Sequence, residues 1–258
     1  MSKIAICSMS IGDKYREWTK YSRINKIEYC KKYGYDFIED NSVYDESKPI
    51  PWSKLKLILK YIDEYDYIVW IDADIYIMNK EMCLEEMIKE KQLDKDIMVG
   101  SDWKYMNTGF LSVKNSEFSK KYLEDVFNHT GYENEDGGQF SRYANWEQGA
   151  FINLYDKNHL ESQSKIVITE PTFVNCYWYN YFPGFFIIHF AGIRNDSLGH
   201  MMHRLSPERK DDDTDESYEA RLQWLKVGLR EEFDRTLNDF KERERQQEID
   251  DKLKNEKS

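Results

Sequence analysis

The stretch Ile68 to Met78, IVWIDADIYIM, constrains this chain more than any other. The run from Tyr67 to Ile71 is almost wholly apolar, which predicts a short strand covered on both faces rather than one facing water on alternate residues. A strand of that kind needs helices above and below it. It then runs straight into Asp72-Ala73-Asp74. Two aspartates one residue apart share a side while the backbone stays extended. A pair of carboxylates at a strand end is a poor structural choice but a good seat for a hard divalent cation such as magnesium or manganese.

The flanking sequence supplies the layers. Lys3 to Ser8 reads as a buried strand. Trp18 to Tyr33 reads as a helix with Tyr21, Ile24, Ile27, Tyr29 and Cys30 at helical spacing, ended by Gly34. Asp36 to Glu39 reads as a short strand. Pro51 opens a helix over Ser53 to Tyr61, with Leu55, Ile58, Leu59 and Ile62 inward. A helix near Cys83 to Glu90 and a strand over Ile97 to Ser101 follow. Strands alternating with helices predict an α/β fold with a largely parallel sheet. In such sheets ligands sit beyond the carboxyl ends of the strands, where Asp72 and Asp74 fall. Residues 1–206 form this domain. Residues 207–258 read as a charged linker and a helical appendage: Leu222, Leu225, Leu229, Phe233, Leu237 and Phe240 recur on one face of a long amphipathic helix, which packs on the main domain or on a second copy of the chain.

Composition removes some classes. The net charge of −11 over 258 residues argues against a nucleic-acid partner. No apolar segment reaches spanning length, and Ile4 to Cys7 is too short for a signal peptide. The 4 cysteines lack metal-type spacing and read as reduced thiols, so the expectation is a soluble, cytoplasmic protein with no anchor. The Asp-x-Asp pattern recurs at Asp94/Asp96, Asp211/Asp213 and Asp213/Asp215, in polar or charged stretches where solvation is explanation enough. His200 and His203 form a His-x-x-His pair with no acidic neighbour in sequence, expected in a loop.

Several blocks in a fixed order resemble the galactosyltransferase/xylosyltransferase family (glycosyltransferase family 34). They are INKIEYCKKYGYDFIED from Ile24, PWSKLKLILKYI from Pro51, the aspartate strand, MNTGFLSVKNSEF from Met106, WEQGAFINLY from Trp146 and FFIIHFAGIRND from Phe185. The resemblance implies a GT-A (Rossmann-like nucleotide-diphospho-sugar transferase) fold. It also implies a metal-dependent, retaining transfer of a sugar such as xylose or galactose from a nucleotide-sugar to a glycan or glycoprotein acceptor, UDP being the favoured nucleotide.

It implies roles as well. Asp72, Asp74 and His189 would hold the metal, Mn2+ ahead of Mg2+ because imidazole is a borderline donor. Asn107, Thr108 and Gly109 would form a loop over the donor sugar, followed by a strand from Phe110 to Val113. Glu147 and Gln148 fall where the family commonly has Asp-Gln. A carboxylate there would stabilise an oxocarbenium-like transition state or act as nucleophile, and Gln148 would steady the intermediate. Arg194 stands where the xylosyltransferases have Lys and would neutralise the leaving diphosphate, with Gly192 giving the backbone room. Cys7, Ser8 and Lys54 would lie near the nucleotide, although an exposed helical lysine is the commoner fate of a residue like Lys54. Two other readings stay open: a haloacid-dehalogenase-like phosphatase using Asp72 and Asp74, disfavoured by Tyr76 and by the βαβ unit ahead of the motif, and a degenerate domain that binds glycans or scaffolds partners.

Overall fold

The computed structural model describes residues 2–102, 105–132, 146–170, 174–178, 181, 184–193 and 196–205, with 214, 216, 217 and 220 beyond. The expected helix from Tyr218 to Lys252 and Arg194 lie outside the described residues.

The elements run in the order β1 (Ile4–Cys7), α1 (Asp13–Tyr33), β2 (Asp36–Ile38), α2 (Ser53–Tyr61), β3 (Tyr67–Ile71), β4 (Ile75–Ile77), α3 (Leu84–Met87), β5 (Ile97–Ser101), β6 (Met106–Lys114), α4 (Glu117–Asn128), α5 (Trp146–Asp156), α6 (Ser162–Lys165), β7 (Ile166–Ile168), β8 (Ile187–His189) and α7 (Asp196–Leu205). The six-stranded sheet has the order β2-β1-β3-β6-β5-β7. It is parallel except for β6, which runs against both of its neighbours. A second, two-stranded sheet pairs β4 with β8 antiparallel.

β3 behaves as its composition dictates. Ile68 and Trp70 pack into the apolar layer containing Leu55, Ile58 and Leu111, while Val69 and Ile71 point to the opposite layer with Ile4, Tyr29 and Phe110. Both faces are dry because successive side chains of a strand alternate. α1 ends as predicted, with Gly34 left-handed at φ 72°. It begins earlier than expected, at Asp13, and its buried face is mixed, with Tyr29 and Cys30 buried as their spacing implies. Ile24 is 45% exposed, whereas Thr19, Ser22, Asn25 and Lys26 are buried.

The physical reason lies in the backbone of residues 72–77. Among the described residues β4 has only β8 as a strand partner, so its other edge needs hydrogen-bond partners of its own. α1 provides them. Ser22 Oγ donates to Ile75 O at 2.6 Å, Asn25 Nδ2 donates to Ile77 O at 2.9 Å, and Ile77 N donates to Asn25 Oδ1 at 2.8 Å. Lys26 Nζ donates to Ser22 Oγ at 2.6 Å and to the carbonyl of Asp72 at 2.9 Å. Burial pulls the Lys26 ammonium down to about 7, against the opposing pull of Asp74 and Asp72. Replacing Lys26 with Met removes one of the two hydrogen bonds to the carbonyl of Asp72 and the one that the hydroxyl of Ser22 accepts. The expected loss is about 3 kcal/mol, read from urea unfolding, since a charged donor makes these bonds.

α7 packs along α1, with Gly199 facing Trp18: a Cβ there would lie 3.4 Å from Trp18 Cα, in ordinary contact. This places His200 and His203 on a helix rather than in a loop. The His203 ring rests on Tyr21 at 4.9 Å between centroids. Among the described residues no helix is long and apolar enough to cross a membrane, and the four cysteines are free.

Candidate metal and donor site

The site is built where β3 runs out. Asp72 still pairs with β6 through its backbone, N to Gly109 O at 2.9 Å, and a turn then brings Ile75 N to Asp72 O at 3.1 Å. The chain resumes as β4, which lies beside β8 with Ile75 opposite His189, and Phe190 N donates to Asp74 O at 3.0 Å. The small sheet thus carries His189 to the aspartates from far along the chain. Asp72, Asp74 and His189 each offer a ligand atom, all within 4.8 Å of one another, and His189 Nε2 lies 3.4 Å from Asp74 Oδ1. Burial pushes the Asp74 carboxyl up, but His189 and then Lys26 outweigh it and hold it below its ordinary value.

His189 is oriented by a residue without a sequence signal. Its Nδ1 faces Asn175 Oδ1 at 2.6 Å, and Asn175 Nδ2 donates to Ser101 O at 3.3 Å. With the amide anchored that way, Nδ1 carries a proton, so Nε2 is the nitrogen left to ligate a cation beside the aspartates. The Tyr177 ring stacks on the imidazole at 5.9 Å, and its hydroxyl donates to Asp102 Oδ2 at 2.8 Å. Asn175→Ala is expected to weaken Mn2+ binding about 10- to 100-fold in a calorimetric titration, the range typical of a lost partner behind a metal-ligating histidine.

The donor set suits a borderline divalent cation: two carboxylates and one imidazole with open positions. Gly109 shows that the space is reserved for these groups. A Cβ at Gly109 would lie 2.7 Å from His189 Cε1, 2.9 Å from Asn107 Oδ1 and 3.2 Å from Asp72 Oδ2. Asn107, Thr108 and Gly109 are not a loop, however. They belong to β6, at a break in register where Val99 faces Leu111 but Gly100 faces Asn107. Such an irregularity re-aims side chains without ending the strand. Asn107 is engaged internally, its Nδ2 donating to Asp102 Oδ2 at 3.1 Å and its Oδ1 accepting from Gly109 N at 2.9 Å.

Lys54 departs furthest from its commoner fate. It is buried, 4% exposed, under the metal strand. Its Nζ lies 3.1 Å from Asp72 Oδ1 and 2.8 Å from Glu147 Oε1, and it donates to Thr108 O at 3.1 Å. Burial alone would lower its affinity for a proton, but Asp72 and Glu147 reverse this and hold it above the ordinary lysine range. Thr108 closes the cluster: its hydroxyl donates to Glu147 Oε1 at 3.0 Å and its N–H to Gln148 Oε1 at 3.0 Å. Glu147 Oε2 is buried and has no hydrogen-bond partner among the described residues.

Other expected residues sit differently. Cys7 is fully buried in the core, where burial pushes its thiol up, so its side chain faces apolar neighbours. Ser8 is buried beside it, its N–H donating to Ile38 O at 3.1 Å. Gly192 takes φ 84° in the turn after β8.

The sheet order and the acidic pair closing β3 define a GT-A glycosyltransferase fold. The backbone overlays a crystal structure of a glycosyltransferase involved in glycosylation of the major capsid of PBCV-1, with a TM-score of 0.62 over 78% of this chain and 98% of that one, at 16% identity. Residues 3–99 match the galactosyl transferase GMA12/MNN10 family. It is 28% identical over 129 residues to xyloglucan 6-xylosyltransferase 1 of Arabidopsis thaliana, covering 46% of this chain and 27% of that protein. It is 29% identical over 105 residues to an uncharacterised alpha-1,2-galactosyltransferase of Schizosaccharomyces pombe, covering 36% and 28%. The match therefore spans about a quarter of the length of either curated relative.

Proposed function

We propose that this protein transfers a sugar from a nucleotide-sugar, UDP-linked xylose, galactose or a similar sugar, to a hydroxyl of a glycan or glycoprotein, with metal dependence and with retention of configuration. The observation that carries the reading is the convergence of Asp72, Asp74 and His189 at the end of β3. The match to the galactosyl transferase GMA12/MNN10 family and the names of the relatives support sugar transfer, and the chemistry of the donor set supports Mn2+ with Mg2+ as substitute. The free, mostly buried thiols support a reducing, cytoplasmic setting.

Asp72, Asp74 and His189 would hold the cation. When bound, it would neutralise the diphosphate as the sugar–phosphate bond breaks. Arg194 would add a second positive contact to the same leaving group. Glu147 is paired with Lys54 and bonded by Thr108 near the metal strand. There a carboxylate would offset positive charge developing on the donor sugar. Gln148 takes its place from the Thr108 backbone. The acceptor hydroxyl would attack from the face the diphosphate leaves, giving its proton to the departing phosphate oxygen. The alternative is a double displacement with Glu147 as nucleophile. Glu147→Gln separates the two: complete loss, with a glycosyl-enzyme detected by mass spectrometry in the wild type, supports the nucleophile, and a modest rate loss supports attack on the same face.

Calorimetry with UDP in the presence and absence of Mn2+ tests the main claim, followed by a donor-hydrolysis screen over UDP- and GDP-sugars. Mn2+-dependent nucleotide binding and hydrolysis of one or two donors are expected. No metal-dependent binding of either nucleotide would sink the reading. Hydrolysis of a generic phosphomonoester, lost on changing Asp72, would point to a phosphatase instead.

A further inference from the structure

Lys54 has more to do than its place on α2 suggests. An ammonium group has three protons to give. At Lys54 three acceptors surround it within hydrogen-bond reach: Asp72 Oδ1 on the metal strand, Glu147 Oε1 at the start of α5, and Thr108 O on β6. None is left for a phosphate. Asp72 Oδ1 is held a second time, by Trp70 Nε1 at 2.6 Å. The two oxygens of Asp72 are thereby divided. Oδ1 is occupied by Lys54 and Trp70, while Oδ2 lies on the side of Gly109 that also faces the His189 ring.

From this division we infer that Lys54 is a positioning residue: it turns Asp72 so that Oδ2 is presented to the cation, and it ties Glu147 to the same strand, so that metal ligand and carboxylate keep a set spacing. The inference rests on the proposed metal-dependent transfer but makes a separate claim. Lys54 acts through Asp72 and Glu147, not on the nucleotide. Burial sharpens the point. Neither Lys54 nor Glu147 has more than 4% of its side chain exposed, so each depends on the other for compensation of its charge. Four elements meet at one nitrogen: α2 supplies it, and the end of β3, β6 and α5 receive its protons.

The electrostatics make the test sharp. Lys54 is a positive charge beside a cation site, so removing it favours metal binding if geometry is unaffected. A positioning role predicts the opposite sign. With Mn2+ alone as the probe, Lys54→Met is expected to bind about 10-fold more weakly than the wild type, the lower end of the loss seen when the partner behind a metal ligand is removed. Lys54→Gln, which keeps a donor and spares the fold should the methionine variant not accumulate, is expected to fall between the two. In donor hydrolysis at Mn2+ concentrations that saturate every variant, both variants should lose kcat, with KM for the nucleotide-sugar within about threefold of wild type, because no interaction with the ground-state donor has been removed. Unchanged or tighter Mn2+ binding would overturn the inference, as would a raised KM with unchanged kcat, which would mean that Lys54 holds the donor itself. A wild-type protein that binds Mn2+ but hydrolyses no nucleotide-sugar would sink the functional reading alone, the Mn2+ titrations still deciding the role of Lys54. A wild-type protein that binds no Mn2+ would overturn both.

Discussion

Asp74→Asn is expected to cut turnover by about a thousandfold and to abolish the Mn2+ dependence of UDP binding, because it removes the charge of a metal ligand from the centre that neutralises the leaving group. The fold should survive. The contact that docks β8 at this point is main chain to main chain, Phe190 N to Asp74 O, and asparagine keeps it. Asp74 is therefore a cleaner target than Asp72. The carboxylate of Asp72 also receives Trp70 Nε1 and Lys54 Nζ, so its loss would disturb the buried cluster along with the metal site. Calorimetry with Mn2+ and UDP, set beside urea unfolding of the same variant, reads both effects. Wild-type affinity for Mn2+ in Asp74→Asn would remove the aspartate pair from the metal site.

Gly109→Ala should have an effect of similar size by a different route. The added methyl would sit 2.7 Å from His189 Cε1, well inside contact distance. The imidazole has no free direction to move: 3% of it is exposed, Tyr177 stacks on it, and Asn175 holds Nδ1. Either the ring leaves the aspartates or β6 shifts at the break in its register. We expect Mn2+ affinity to fall about a hundredfold, by analogy with lost support behind a metal ligand. Overpacking should cost about 1–3 kcal/mol in stability. Gly34→Ala is the control. That glycine caps α1 in the left-handed region with open space around it, so alanine should cost about 1 kcal/mol and leave Mn2+ binding alone. Equal Mn2+ affinity in Gly109→Ala and wild type would show that the space is not reserved for the ligands.

The scaffold and the first half of the site are legible in the amino-acid sequence. An apolar run flanked by helical patterns can be buried only between layers, so β3, its neighbours and the α/β class follow from local composition. Asp72 and Asp74 follow from their place at its end. The family resemblance points to His189, Glu147 and Gln148, and the fold brings them near the strand. α1 misleads because hydrophobic periodicity assumes that a helix buries its apolar side. Here the neighbour is the open edge of β4, which needs donors and acceptors, so Ser22, Asn25 and Lys26 face inward and Ile24 faces out. The spacing of Ser22, Asn25 and Lys26 on one helical face is the signal that marks this.

Asp72 and Asp74 end the apolar run in the primary sequence, and sequence alone determined that two carboxylates would stand at the edge of a buried sheet. Tertiary structure decided everything that turns the pair into a site. His189 arrives through the pairing of β4 with β8, Asn175 sets its tautomer, Gly109 leaves it room, and Lys54 divides the oxygens of Asp72. Those contacts join segments far apart along the chain. Local propensity carries no information about them, since they exist only once burial has made each unpaired charge and each misplaced atom costly.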